Sequence, residues 1–271
     1  MSVYNDKIAI IGVACLFPGA ATPDQFWQNL LQGINSTSPA TAEQFGVDPA
    51  LYYDPQRRHH DTTYFQRGGY VRNFQASSLP ASLDAVFQWS LYVAQQALQD
   101  SGYLNRPDIL QNTGLIMGNL SFPTRLSHQL LAPLYDQPLA EAISELLNTQ
   151  VDFPRKTDTE IDLLNALISG QPASLIAGML GLGGTHFALD AACASSLYAM
   201  GLACDYLNAG KADLMLAGAV SAADPLFVNM GFTHFGAYPE KGDSRPLDST
   251  SEGLISGEGA GMFVLKRFRD A

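Results

Sequence analysis

The residue with the clearest chemical potential is Cys193, in the stretch Leu189-Asp190-Ala191-Ala192-Cys193-Ala194-Ser195-Ser196. A short apolar, strand-like run (Phe187 to Leu189) leads into it. A helix of small and apolar residues leads out, from Ser195 to about Asn208, with Gly210 placed to end it. A cysteine at such a junction sits at a helix N-terminus, where free N–H groups and the helix dipole favour an anion. The thiolate is the nucleophilic form of cysteine, and sites of this kind favour it. Flanking alanines and serines let backbone and substrate approach closely. The pattern is that of a nucleophile elbow with sulfur in place of oxygen. The local sequence reads equally well as a buried small apolar residue. Cys204, inside the same helix, and Cys15, at the end of the strand-like run from Ile8, are read as core.

Other segments extend the pattern. Ile10-Ile11-Gly12-Val13-Ala14-Cys15-Leu16-Phe17-Pro18-Gly19-Ala20 pairs a strand with a glycine-proline loop. Asp213 to Val220 reads as the strand after the nucleophile helix. Ser244-Arg245-Pro246-Leu247-Asp248 is a loop, and Gly257-Glu258-Gly259-Ala260-Gly261 precedes Val264-Leu265-Lys266-Arg267. Together, and in this order, these motifs resemble those of β-ketoacyl synthases, whose active-site signature is D-[TA]-A-C-[SA]-S-S. Leu247 departs from the usual phenylalanine of the R-P-F-D loop. Gly118-Asn119-Leu120-Ser121-Phe122-Pro123-Thr124 is similar to synthases of polyketide-type polyunsaturated fatty acid and related lipid systems.

The resemblance implies an α/β, thiolase-like layered fold. This chain would be its N-terminal half (1–271, elbow at 187–196), with a mixed five-stranded sheet and a buried nucleophile helix. It implies an acyltransferase that takes an acyl group from carrier-protein phosphopantetheine onto Cys193. Decarboxylative Claisen condensation with a malonyl-carrier thioester follows. No cofactor or metal is expected to be bound, because the substrates arrive on the carrier. Asp190, Ser195 and Ser196 shape the elbow in this reading, the Cys193 N–H serves as an oxyanion donor, and Glu258 gives structural support. Two histidines (H-G-T-G-T and N-x-G-H contexts) and a G-F-G-G loop belong to the family's second half. No such motif occurs in these 271 residues, so the chain alone is expected to be inactive in condensation. A homodimer contacting through Thr185 to Asp190 and an acyl carrier protein are the implied partners. A ketosynthase-like non-catalytic partner or a truncated product is the alternative, although such chain-length factors typically lack the cysteine. A cysteine hydrolase would need a histidine beside the thiol.

None of the five histidines sits in such a context. His59 and His60 lie in a polar run, His128 in a surface helix, His186 on the strand entering the elbow and His234 in a loop. The net charge of −11 argues against nucleic acid and anionic membrane surfaces as partners. Arg57, Arg58, Arg67 and Arg72 are candidates for a local carrier-docking patch, or ordinary surface arginines. Three widely spaced cysteines give no disulfide framework and suit a reducing cytoplasm. No run approaches the ~20 apolar residues needed to span a bilayer, and the N-terminal apolar run lacks a signal peptide's flanks. The matches to the glycosylation pattern at Asn35 and Asn119 are therefore read as chance.

Among the supporting elements, the sequence predicts a helix capped by Thr22 with Phe26, Trp27, Leu30 and Leu31 as its apolar face. It also predicts a short strand at 69–74, a long helix from Leu83 to Ser101, a strand at 113–117 and helical patches over 122–165. A short helix follows at 173–180, then a helix started by Asp224, and a terminal hairpin pairing 254–256 with 261–265.

Overall fold

The computed structural model describes residues 7–57, 60–74, 78–153, 160–240 and 244–271. In chain order the elements begin with β1 (Ile8–Leu16), α1 (Pro23–Leu31), β2 (Ser38–Pro39), α2 (Ala42–Phe45) and β3 (Arg67–Gly68). Next come α3 (Ala85–Asp100), α4 (Pro107–Leu110), β4 (Thr113–Asn119), α5 (Arg125–Leu147) and α6 (Gln171–Leu180). The last are β5 (His186–Leu189), α7 (Ser195–Asn208), β6 (Leu214–Ser221), α8 (Pro225–His234) and β7 (Gly259–Arg267).

Five strands form one mixed sheet in the order β1-β7-β6-β4-β5. β6, β4 and β5 run parallel, while β7 is antiparallel to both β6 and β1. The parallel centre is covered on both faces, as such sheets require, and every residue of β4 is buried. One face packs on α3 and α6 through Leu115, Met117, Leu216 and Val264 against Leu91, Ala94 and Ile176. The other packs on α7 through Ile116, Met215, Ala217 and Leu265. The result is three layers, helix–sheet–helix, with a mixed five-stranded sheet as the sequence implied.

Local signals placed most elements. Thr22 Oγ1 accepts from the Gln25 N–H at 3.2 Å, with Pro23 opening α1. Asp224 Oδ1 accepts from Leu226 N–H at 2.9 Å at the start of α8. Gly102 at φ 77° ends α3, and Gly210 at φ 68° follows α7.

Five expectations differ. His234, expected in a loop, is the last residue of α8, because the helix capped by Asp224 runs on past Gly231. No strand forms over 69–74. The pairing there is the two-residue ladder of β2 with β3, and Gly69 makes a single bridge to Gly257. The terminal hairpin does not form, because β7 is consumed by β1 on one edge and β6 on the other. The apolar face of α1 is exposed, with Trp27 at 58% and Leu31 at 62%. α7 buries the stripe Ser195, Ala199, Ala203 and Leu207 against the sheet, whereas Leu197 and Tyr198 on its other side are exposed. Apolar composition marked one face of α1 and most of α7 as core-facing, but the described residues cover only part of either helix.

Candidate active site

β5 carries the chain to the end of the sheet beside β4, and α7 starts there and runs back beneath β4 and β6. Close approach at this point depends on Gly118. A Cβ added to it would lie 2.7 Å from Ser195 Cβ and 2.9 Å from the Ser195 backbone carbon. The first turn of α7 therefore rests directly on β4. Ala194 is the N-cap residue, which places Cys193 immediately before the helix, as the sequence predicted.

The turn itself is strained. Ala192 has φ 50°, in the left-handed region that costs an L-residue roughly 1–2 kcal/mol. Strain of this kind persists where the surroundings over-determine it, and here hydrogen bonds do so. Ser195 Oγ accepts from Ala191 N–H at 2.9 Å and donates to the Ala192 carbonyl at 2.7 Å. Asp190 Oδ1 accepts from Ala192 N–H at 3.0 Å, and Oδ2 accepts from Ser121 N–H at 3.0 Å. These two N–H groups, Ser121 first, hold the Asp190 carboxyl below its ordinary range.

The three thiols are free and separate clearly. Cys193 is exposed, Cys204 half-buried and Cys15 buried. Burial pushes the Cys15 thiol up to about 11, and burial followed by the neighbouring Asp205 raises that of Cys204. Cys193 opens into a cleft of ≈ 860 Å³ whose walls are largely apolar, with Phe17, Phe26, Leu197 and Met200 among them. Phe17 and Phe26 meet edge-to-face at 5.0 Å, which makes α1 one wall of the cleft.

Glu258 also reaches this cleft, and it lines a polar cavity of ≈ 530 Å³ as well, together with Arg72, Asp84 and Arg125. Its Oε2 accepts from Val71 N–H at 3.0 Å, and its own N–H donates to the Gly69 carbonyl at 2.8 Å. Gly69 N–H in turn donates to the Ser256 carbonyl. The glutamate thus pins the 69–71 segment to the glycine strip before β7, the supporting role its motif implied. Burial raises its carboxyl to about 7, against the lowering effect of the Val71 N–H.

Among the described residues no histidine lines the Cys193 cleft. His186 Nδ1 lies 3.1 Å from the Gly184 carbonyl. His128 and His234 face Asp224 and Asp61 at 4.0 and 3.9 Å. None of the described histidines is therefore brought to the thiol, as a cysteine hydrolase would require. Arg67 and Arg72 donate to Thr37, and to Ser38 and the Pro39 carbonyl, so they brace the 37–39 segment. Arg57 pairs with Glu240 and stacks on Tyr64. Arg58 and His59 lie outside the described residues. No helix among the described residues is long and apolar enough to cross a membrane.

Sequence reasoning located Cys193 but missed the cleft wall formed by Phe17 and Phe26, and the tie from Asp190 to Ser121. Both are contacts without a local signature in the chain.

Residues 5–271 match the family model described as the N-terminal domain of β-ketoacyl synthases. The chain is 30% identical over 272 residues to a polyunsaturated fatty acid synthase protein of a Thraustochytrium species, covering 98% of this chain and 13% of that protein. It is 28% identical over 278 residues to a phenolphthiocerol/phthiocerol polyketide synthase protein of Mycobacterium tuberculosis, covering 98% of this chain and 14% of that protein. It spans, then, about one-seventh of the length of these relatives. Among solved structures, PfaC keto synthase–chain length factor matches with TM-score 0.89 and 50% identity, over 97% of this chain and 29% of that one. An oxazolomycin ketosynthase domain of Streptomyces albus matches with TM-score 0.74 at 23% identity, over 97% of this chain and 44% of that one, which speaks to the fold alone.

Proposed function

Since the chain belongs to the β-ketoacyl synthase family through that family's N-terminal domain, we propose that Cys193 is the acyl-accepting nucleophile of a ketosynthase in polyketide-type fatty acid or lipid synthesis. The observation that carries this reading is the exposed Cys193 on a strained turn at a helix N-terminus, opening into an apolar cleft. In the first half-reaction the Cys193 thiolate adds to the thioester carbonyl of a carrier-bound acyl group. The new C–S bond forms, the C–S bond to phosphopantetheine breaks, and the departing thiolate takes a proton from solvent. In the second, a malonyl-carrier thioester loses CO₂, and its enolate carbon attacks the Cys193-bound carbonyl. A C–C bond forms, Cys193 leaves as thiolate, and the product on the carrier is two carbons longer. Splitting the condensation in this way is the gain of covalent catalysis. The apolar walls around Phe17, Phe26 and Met200 suit an acyl chain rather than a charged substrate.

Under this reading residues 1–271 act as the first half of a synthase domain. The enolate's charge needs donors preorganised at the thioester oxygen, and losing one such donor costs about 10²–10³ in rate. The family draws them from the histidines and loop of its second half. Carrier protein as substrate donor, a homodimeric assembly and a reducing cytoplasm that keeps the thiol free complete the proposal. A non-catalytic chain-length-factor role is the second reading, because the PfaC match carries both names. Cys193 favours the first.

The test supplies an acyl-carrier thioester to the 271-residue chain and maps the modified peptide by mass. We expect acyl transfer to Cys193, none to Cys15 or Cys204, and none in Cys193→Ala. With labelled malonyl-carrier thioester added, condensation product is expected only from a longer chain carrying the histidine motifs. Acyl transfer to another cysteine, or none at all, would overturn the ketosynthase reading. Repeated turnover by the 271 residues alone would show a site built differently from the family's.

A further inference from the structure

We infer that Asp190 is a positioning residue for the nucleophile: its carboxylate ties the Cys193 elbow to the 120–124 loop and so fixes where the sulfur sits over the cleft. The inference rests on the reading of Cys193 as the acyl acceptor. It comes from sorting the elbow's hydrogen bonds by where they lead. The bonds of Ser195 Oγ to residues 191 and 192 close within the turn, as do Ala194 N–H to the Ala191 carbonyl and Ser195 N–H to the Ala192 carbonyl. They set the shape of the turn and hold Ala192 at φ 50°, but they do not locate it in the molecule.

Location is weakly determined from the entry side. β5 is four residues long and stands at the edge of the sheet, paired, among the described residues, with β4 alone. Gly118 supports the elbow from below through Ser195, which is contact without direction. The bond that leaves the elbow is Asp190 Oδ2 to Ser121 N–H, while Oδ1 of the same carboxylate holds the strained Ala192. Ser121 belongs to a loop that is itself anchored. Asp224 N–H donates to the Pro123 carbonyl at 2.8 Å, and Phe122 packs edge-to-face on Phe227 of α8 at 5.4 Å. One ionised carboxylate therefore joins the elbow to the end of β4 and to α8. Both of its oxygens accept, which an amide cannot reproduce: asparagine offers one acceptor and one donor group.

A tether for the sulfur and a general support of the fold have different signatures. If Asp190 merely stabilised the fold, removing it would slow every reaction of Cys193 together. Removing it as a tether displaces the sulfur and slows attack on a thioester held in the cleft. The experiment measures two rates at Cys193 in the 271-residue chain, for wild type, Asp190→Asn and Asp190→Ala. One is acylation by an acyl thioester of N-acetylcysteamine, and the other is alkylation by iodoacetamide from pH 5 to 9. We expect Asp190→Ala to slow acylation by about 10- to 100-fold, the scale of a ~1 Å misplacement. Its alkylation by iodoacetamide should stay near the wild-type rate across that range, and Asp190→Asn should acylate at a rate between it and wild type. Acylation within about twofold of wild type in Asp190→Ala overturns the inference while leaving the nucleophile reading standing. So does a parallel fall of both rates with a lowered melting temperature, which marks a general loss of structure. A wild-type chain that takes no acyl group overturns the nucleophile reading, and the inference falls with it.

Discussion

At the residue scale, chemistry is set by what burial does to each ionisable group. The three cysteines share a type but not an environment: water reaches Cys193, while burial holds Cys15 as thiol up to about 11. Glu258 shows the same effect on a carboxyl. Its folded value of about 7 lies above its ordinary 4.5, chiefly because burial disfavours the charge. The sign of its effect on stability follows. Below about pH 4.5 the group is protonated whether folded or unfolded, and it is neutral in the balance. As pH rises toward 7 the unfolded chain ionises it while the fold resists, so stability is lost through that window and the loss levels off above it. Glu258→Gln keeps an acceptor for Val71 N–H and removes the charge. We predict that it matches wild type at pH 4.5 and is more stable at pH 8, by roughly 1–3 kcal/mol. Urea denaturation across pH 4.5–8.5 checks this. A difference independent of pH, or one favouring wild type at pH 8, contradicts it.

At the element scale, the nucleophile is placed by the stacking of α7's first turn on β4, and Gly118 sets that distance. A methyl group there meets Ser195 Cβ at 2.7 Å and Ala219 Cβ at 3.1 Å. Neither neighbour is the free end of a flexible chain, so α7 must shift. We predict that Gly118→Ala costs about 1–3 kcal/mol, the usual range for overpacking. Acylation of Cys193 should slow about 10- to 100-fold as the sulfur moves with the helix. Thermal melting and the thioester assay read the two effects. Unchanged acylation in a stably folded variant would mean that α7 does not set the sulfur's position. The sequence put Gly118 at the head of the G-N-L-S-F-P-T stretch, but nothing local to it named Ser195 as the neighbour it would meet.

At the scale of the whole molecule, apolar surface is left over. The outer face of α1 and the far side of α7 are exposed, and among the described residues β5 pairs on one side only. An exposed strand edge is a ready pairing surface, and the family resemblance puts a dimer contact at 185–190. We predict that a longer chain carrying the second-half motifs sediments as a dimer, and that Ala188→Pro, which removes a backbone donor from this edge, shifts it toward monomer. A wild-type monomer that still condenses acyl groups would contradict the prediction.

The sequence by itself determined the elements whose signals are local. Thr22 with Pro23, Asp224 with Pro225 and glycines 102 and 210 mark helix ends by side-chain hydrogen bonding or left-handed backbone. The Asp190–Ser196 motif located the candidate nucleophile because a cysteine between a strand and a small-residue helix is informative within a few residues. Tertiary structure decided what depends on partners distant in the chain. It assigned β7 to β1 and β6 rather than to a hairpin with 254–256, since ladder pairing is settled by which edges are free. It made Phe26, placed by the sequence on the apolar face of α1, a wall of the Cys193 cleft. It also gave the Asp190 carboxylate a second partner, Ser121, 69 residues away. Hydrogen bonds and contacts across such separations exist only once the sheet has brought β4 and β5 side by side.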